Sequence, residues 1–235
     1  MSVELDQIVP WGRTGDEYSR MFALTPADLA SGILDCGGGP ASFTAEATAA
    51  GHAVVAVDPI YAAPAAIIRS RFEEVADSML SQVRATPADW VWTYHRDPDA
   101  LLARRRKALE RFLEDYAAGL AAKRYQVAAL PSLPFGTGSF GIALCSHLLF
   151  LYSDLLDETF HVRAALELFR VAREVRIFPL LNLRRQASPH VDSVRAAVAA
   201  SGGSSEILSV DYELQRGGNR MLRLFRTSDS GSVIS

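Results

Sequence analysis

The sequence predicts an α/β protein whose mostly parallel sheet ends in an antiparallel hairpin, and three observations point there. Short apolar and β-branched runs alternate with stretches of helix-forming residues along the chain. The first such run, Ile33-Leu34-Asp35-Cys36, leads into Gly37-Gly38-Gly39 and then a helix-like segment, the strand-turn-helix opening of a βαβ unit. Near the other end, two strand-like runs flank Gly217-Gly218-Asn219, a hairpin signature.

Each element follows from local pattern. Tyr18, Met21 and Phe22 fall at helical spacing within residues 16–24, predicting a short amphipathic helix over the domain edge. Thr25-Pro26-Ala27-Asp28 reads as a helix start, with proline at the first helical position. Residues 32–36 make the first strand, 41–50 a helix ended by Gly51, and 53–57 a second strand closed by Asp58. A right-handed crossover sets both strands parallel, their C-terminal ends on one rim.

Residues 59–124 are too long for an ordinary crossover and rich in helix formers, so they read as a helical insertion or cap. Helices are expected over 65–84 and 99–123, joined by the aromatic connection Trp90-Val91-Trp92-Thr93-Tyr94. An insertion at the rim of a rigid sheet can vary without disturbing the core, which makes this one the expected wall of an acceptor pocket. Further strands are expected over 125–129, 140–146, 175–181, 205–215 and 220–226, with helices near 159–172 and 191–201 and a loose tail over 227–235.

Bulk properties narrow the function. The 235 residues suit one sizeable domain spanning 1–235. A composition 49% hydrophobic and 22% charged is that of a soluble globular chain, and no apolar run approaches the ~20 residues that span a bilayer, so no membrane partner is expected. Residues 1–16 show no leader-like apolar segment and Cys36 and Cys145 suit free thiols, which together suggest a cytoplasmic location. The cysteines form no metal-ligand pattern. A formal charge of -3 offers no electrostatic reason to expect nucleic acid as a partner. The basic run Arg104-Arg105-Arg106-Lys107 is interspersed with Glu110, Glu114 and Asp115 at helical spacing and reads as a solvated, ion-paired helix face.

The chemistry concentrates at the first βαβ unit. Glycines after a buried strand let the chain turn at positive φ and let a ligand approach the backbone, while the following helix offers unpaired N–H groups. Asp58, about twenty residues on, can accept hydrogen bonds from both hydroxyls of a ribose. The pair suggests a nucleoside-bearing cofactor, as opposed to a tight turn without ligand. An NAD-binding site shares the acid spacing, but Ser42 stands where the dinucleotide fingerprint wants its third glycine or an alanine.

The order of elements, with Asp35-Cys36-Gly37-Gly38-Gly39 and Asp58, resembles the class I S-adenosylmethionine-dependent methyltransferases, as does Leu133-Pro134-Phe135 followed by Ser139-Phe140 and Ala143-Leu144-Cys145-Ser146-His147. The resemblance implies a Rossmann-like, seven-stranded, mostly parallel sheet with a C-terminal antiparallel hairpin and a helical insertion after strand two. It implies S-adenosylmethionine as cofactor and a small-molecule substrate. The run from Asp35 to Gly39 would cradle the methionine part, with Asp35 near its ammonium; Asp58 would hold the ribose, and Pro59 and Ile60 would lie near the adenine.

Two positions depart from the family pattern. Ala128-Ala129-Leu130 stands where an acid often contacts the adenine amine, leaving backbone groups or Ser132 to substitute, and Gly141 replaces an acid that commonly follows the phenylalanine of strand four. Cys145, Ser146 and His147 would face the sulfonium end, with Cys145 as a pocket wall. Adjacent strand residues point to opposite faces, so a Cys145/His147 nucleophile pair is disfavoured. His147 is the candidate general base, needed only for a hydroxyl or protonated amine acceptor. Trp11, Arg13, Tyr18, Trp90, Trp92, Tyr94 and Tyr152 are candidates for an aromatic and cationic acceptor pocket. A cofactor-binding protein with weak catalysis, acting as a sensor or partner subunit, and an NAD-dependent oxidoreductase are the alternatives.

Overall fold

The computed structural model describes residues 10–226. Residues 1–9 and the tail over 227–235 lie outside them. Strands β1 (Ile33–Cys36), β2 (Val54–Val57), β3 (Tyr125–Gln126), β4 (Phe140–Ser146), β5 (Ala172–Phe178), β6 (Gly203–Ser209) and β7 (Arg220–Arg226) form one sheet in the order β3-β2-β1-β4-β5-β7-β6. All pairings are parallel except those of β7, which runs antiparallel to both β5 and β6. That is the sheet implied by the resemblance, with the terminal hairpin at one edge.

Side-chain alternation along the central strands divides the core in two. Ile33, Ile142 and Leu144 pack on one face with α1 (Gly15–Met21), α3 (Phe43–Ala49), α4 (Ala65–Ala85) and α5 (Pro98–Ala121). Leu34, Cys36, Ala143 and Cys145 pack on the other with α6 (Glu158–Val171) and α7 (Val191–Ala200). Asp35 and Ser146 alternate onto the first face. The short α2 (Pro26–Leu29) is capped by Thr25, whose hydroxyl accepts from the Asp28 N–H.

Several boundaries differ from the sequence reading for physical reasons. β5 begins directly after α6 and stops before Pro179, which has no N–H to donate. β6 stops at Ser209, and the stretch expected to continue it crosses to the insertion, where Val91 donates to the Leu214 carbonyl at 2.8 Å. Gly141 has a steric reason: a Cβ there would fall 2.4 Å from the Ser31 carbonyl oxygen, so the acid of the family pattern has no room.

The basic run on α5 is only in part a solvated face. Arg106 pairs with Glu73 at 3.0 Å in solvent, but Arg105 is fully buried and its Nη1 donates to both oxygens of Glu17 at 2.7 and 2.8 Å. Glu17 also accepts from the Thr14 N–H at 2.9 Å and the Tyr212 hydroxyl at 2.9 Å. Burial raises its carboxyl, but the Arg105 charge and these donors win and hold it down to about 2. His95 lies 3.5 Å from Glu17, yet burial, then the Arg105 charge, pulls its imidazole down to about 3. It is neutral and hydrogen-bonded to Tyr212 at 3.0 Å.

Glu17→Leu leaves Arg105 buried without a counter-charge and lowers the unfolding free energy by about 3–5 kcal/mol, read from urea denaturation at neutral pH. Because the folded carboxyl titrates below its ordinary 4.5, its contribution is complete above that value and is lost as pH falls toward about 2. The acid limb of the stability profile is therefore shallower in the variant.

Candidate functional site

The site opens at the C-terminal rim of the parallel strands, where ligands of open α/β sheets bind. Gly37 (φ +70°) and Gly39 (φ +53°) turn the chain out of β1 in the left-handed region. Gly38 is required by packing: a Cβ there would fall 2.5 Å from Asp35 Oδ2. Asp58 ends β2 and braces the loop, its Oδ2 accepting from the Gly39 N–H at 3.0 Å and its Oδ1 from the Ile60 N–H at 2.8 Å. Burial raises this carboxyl, and the two N–H groups oppose that shift.

An N-terminal strap lies directly on the glycine loop. Gly12 allows the contact, since a Cβ there would meet the Pro40 carbonyl oxygen at 2.1 Å. The Arg13 carbonyl accepts from the Ser42 N–H at 3.0 Å, at the start of α3. Nothing in the local sequence pattern marks Gly12; its role follows from contact with residues almost thirty positions away.

Two cavities meet under the strap. The larger, about 700 Å³, is lined by Cys36, Gly37, Gly38, Gly39, Asp58, Pro59, Ile60 and the stretch Ala128-Ala129-Leu130, with Arg71, Glu74 and Val75 of α4 on its outer wall. The smaller, about 80 Å³, is mostly apolar: Met79, Trp90, Leu151, Tyr152, Phe178, Tyr212 and Leu214 form much of its wall. Trp11, Arg13 and His147 line both.

Other candidates are placed elsewhere. Cys145 is fully buried on the α6 side of the sheet and is not a wall of either cavity, because it alternates away from Ser146. Ser132 does not line the larger cavity; its N–H donates to the Ala129 carbonyl and closes a turn. Asp35 lies beneath the loop, 1% exposed, so its carboxylate is not at the cavity surface. Of the aromatic and cationic set, Trp11, Arg13, Trp90 and Tyr152 line the smaller cavity. Tyr18 packs under the loop, Trp92 joins the edge of the core, and Tyr94 lies between Arg104 and Asp16.

A row of polar side chains runs from His147 into the core. His147 takes a left-handed conformation (φ 51°) just past β4, which turns its ring into the cleft. Its Nδ1 lies 2.9 Å from Ser146 Oγ. Tyr18 donates to Asp35 Oδ1 at 3.0 Å, and the Ser146 side chain favours ionisation of the Tyr18 phenol, as a donor to it does. When Ser146 donates to Tyr18, its Oγ accepts from His147 Nδ1–H and Nε2 keeps its lone pair. Burial, with Arg13 and Arg105 nearby, holds the imidazole well below its ordinary range. Burial pushes the Asp35 carboxyl up to about 7, against the Tyr18 hydrogen bond.

No family model matches the chain. The uncharacterized protein MJ0045 of Methanocaldococcus jannaschii is 32% identical over 225 residues, covering 95% of this chain and 99% of that one. This chain belongs to the MJ0045 family. Among solved structures it is similar to magnesium protoporphyrin IX methyltransferase (ChlM) from Synechocystis PCC 6803 with bound SAM, at 12% identity and TM-score 0.45, over 84% of this chain and 71% of that one. It is similar to the O-methyltransferase NcsB1 from neocarzinostatin biosynthesis, in complex with S-adenosyl-L-homocysteine and 1,4-dihydroxy-2-naphthoic acid, at 13% identity and TM-score 0.46. That match covers 90% of this chain but only 54% of NcsB1, so the chain spans about half the length of that enzyme. In this member of the MJ0045 family the strand order and terminal hairpin are those of the class I methyltransferase fold. Among the described residues no helix is long and apolar enough to cross a membrane.

Long-range 1H–15N spectra are expected to show His147 as the neutral Nδ1–H tautomer between about pH 6 and 8, with Ser146→Ala shifting its Nδ1 resonance. A ring protonated at neutral pH contradicts the assignment.

Proposed function

We propose that this protein transfers a methyl group from S-adenosylmethionine to a small-molecule acceptor. The observation that carries the reading is the meeting of a glycine-floored cavity, with Asp58 at its edge, and a mostly apolar second cavity at His147. The larger cavity has room for a nucleoside with an amino-acid tail. Each Asp58 oxygen accepts one backbone N–H, which leaves lone pairs for two vicinal hydroxyls. Pro59 and Ile60 offer an apolar surface beside it, and the backbone of Ala128-Ala129-Leu130 supplies polar groups where the chain has no acid. S-adenosylmethionine, when bound, supplies an electrophilic methyl group on a sulfonium.

The chain's own residues then align and deprotonate the acceptor. The apolar walls of the smaller cavity exclude water, and alignment with desolvation accounts for much of the acceleration in a displacement of this kind. For a hydroxyl or amine acceptor, His147 Nε2 receives the proton. Nδ1–H can pass its proton to Ser146, Ser146 to Tyr18, and Tyr18 to the Asp35 carboxylate. That route leaves no charge on the imidazole, which suits a ring whose surroundings disfavour the cation.

Calorimetry with S-adenosylmethionine and S-adenosylhomocysteine tests the reading; both bind, and absence of binding to either one overturns it. Asp58→Ala weakens both by about 1–3 kcal/mol, as hydrogen bonds to a charged acceptor are lost. Unchanged affinity in that variant places the ribose elsewhere.

A further inference from the structure

The Arg13 guanidinium lies at the junction of the two cavities and makes no ion pair with a described residue, Glu17 acting on it only from beyond ion-pair distance. Its Nη1 donates to the Trp11 carbonyl at 2.9 Å. Its Nε is buried without a partner, and no described residue accepts from Nη2 or pairs with Arg13 as an ion. The nearby carboxylates are engaged: Glu17 by Arg105, Thr14 and Tyr212, and Asp35 by Tyr18. Arg13 is also the only charged side chain among the described residues that line the smaller cavity. Burial and the Arg105 charge lower its pKa to about 10, so it remains a cation at neutral pH.

An unpaired cation in a low-dielectric site is costly, and the Nε/Nη2 edge is the one that a carboxylate engages through two parallel hydrogen bonds. Trp11 Nε1, on the same strap, is a second buried donor without a partner. We propose that Arg13 is the carboxylate receptor of the cleft, seating the carboxylate of either the cofactor's amino-acid tail or an aromatic acid acceptor in the smaller cavity. The proposal rests on the methyltransferase reading for the identity of the first source. The Ser42 bond to the Arg13 backbone fixes the residue on the loop, so the receptor is held in place before any ligand arrives.

Calorimetry on wild type, Arg13→Met and Arg13→Lys separates the sources, with circular dichroism and the melting temperature checking the fold. One pair of probes is S-adenosylhomocysteine and 5′-methylthioadenosine, which lacks the carboxylate; the other, added with S-adenosylhomocysteine present, is 1-naphthoate and its carboxamide. Arg13→Met is expected to weaken one carboxylate probe about tenfold or more while leaving its carboxylate-free counterpart within about twofold, with Arg13→Lys between. Loss confined to the first pair assigns the cofactor tail, and loss confined to the second assigns the acceptor. If Arg13→Met binds every probe as wild type does, or weakens both members of each pair alike, the receptor role is wrong. If the wild type binds neither nucleoside, the methyltransferase reading fails, and the naphthoate pair alone decides on Arg13; wild type that binds no probe overturns both.

Discussion

The cleft depends on the buried contact between Glu17 and Arg105. Two charges removed from water are tolerated because the carboxylate is saturated with donors from Arg105, Thr14 and Tyr212. These donors come from separate parts of the chain: α1 with its strap, the second long helix of the insertion, and the segment between β6 and β7. Each part contributes a wall. The strap carries Trp11 and Arg13, Trp90 comes from the insertion, and Tyr212 itself lines the smaller cavity. One ion pair thus fixes how three non-sheet segments meet over the rim.

Electrostatics then divides the cleft by role. Burial and neighbouring cations keep His147 neutral, while burial without a cation raises Asp35. A neutral imidazole at the cavity surface, bonded to Ser146, and a carboxyl near 7 beneath the loop, bonded to Tyr18, lie on the same face of the sheet. Arg13 remains charged because arginine stays protonated even when burial lowers its pKa. The resulting cleft holds a fixed cation and a neutral imidazole side by side.

The sheet was legible because its signals are local: apolar runs at strand period, glycines after β1 and Asp58 after β2 all lie within one βαβ unit. The hairpin was legible from Gly217-Gly218-Asn219. What stayed hidden depends on distant partners. Arg105 resembles Arg104 and Arg106 in sequence, and only Glu17, far away in the chain, distinguishes it. Gly12 is set by Pro40, and Gly141 by Ser31. For Cys145 the strand alternation was visible, but which face would meet the cleft was not, since that depends on which helices pack on each side. The end of β6 was obscured because apolar Leu214, continuing the strand pattern, bonds instead to Val91.

A crystal structure with S-adenosylhomocysteine bound tests the central claim most directly, namely that the two cavities hold cofactor and acceptor on either side of His147. The account predicts the ribose hydroxyls on Asp58, the adenine between Ile60 and the Ala128-Ala129-Leu130 backbone, and the sulfur directed toward the smaller cavity at His147. A nucleoside bound away from Asp58, or a sulfur facing away from the smaller cavity, contradicts it.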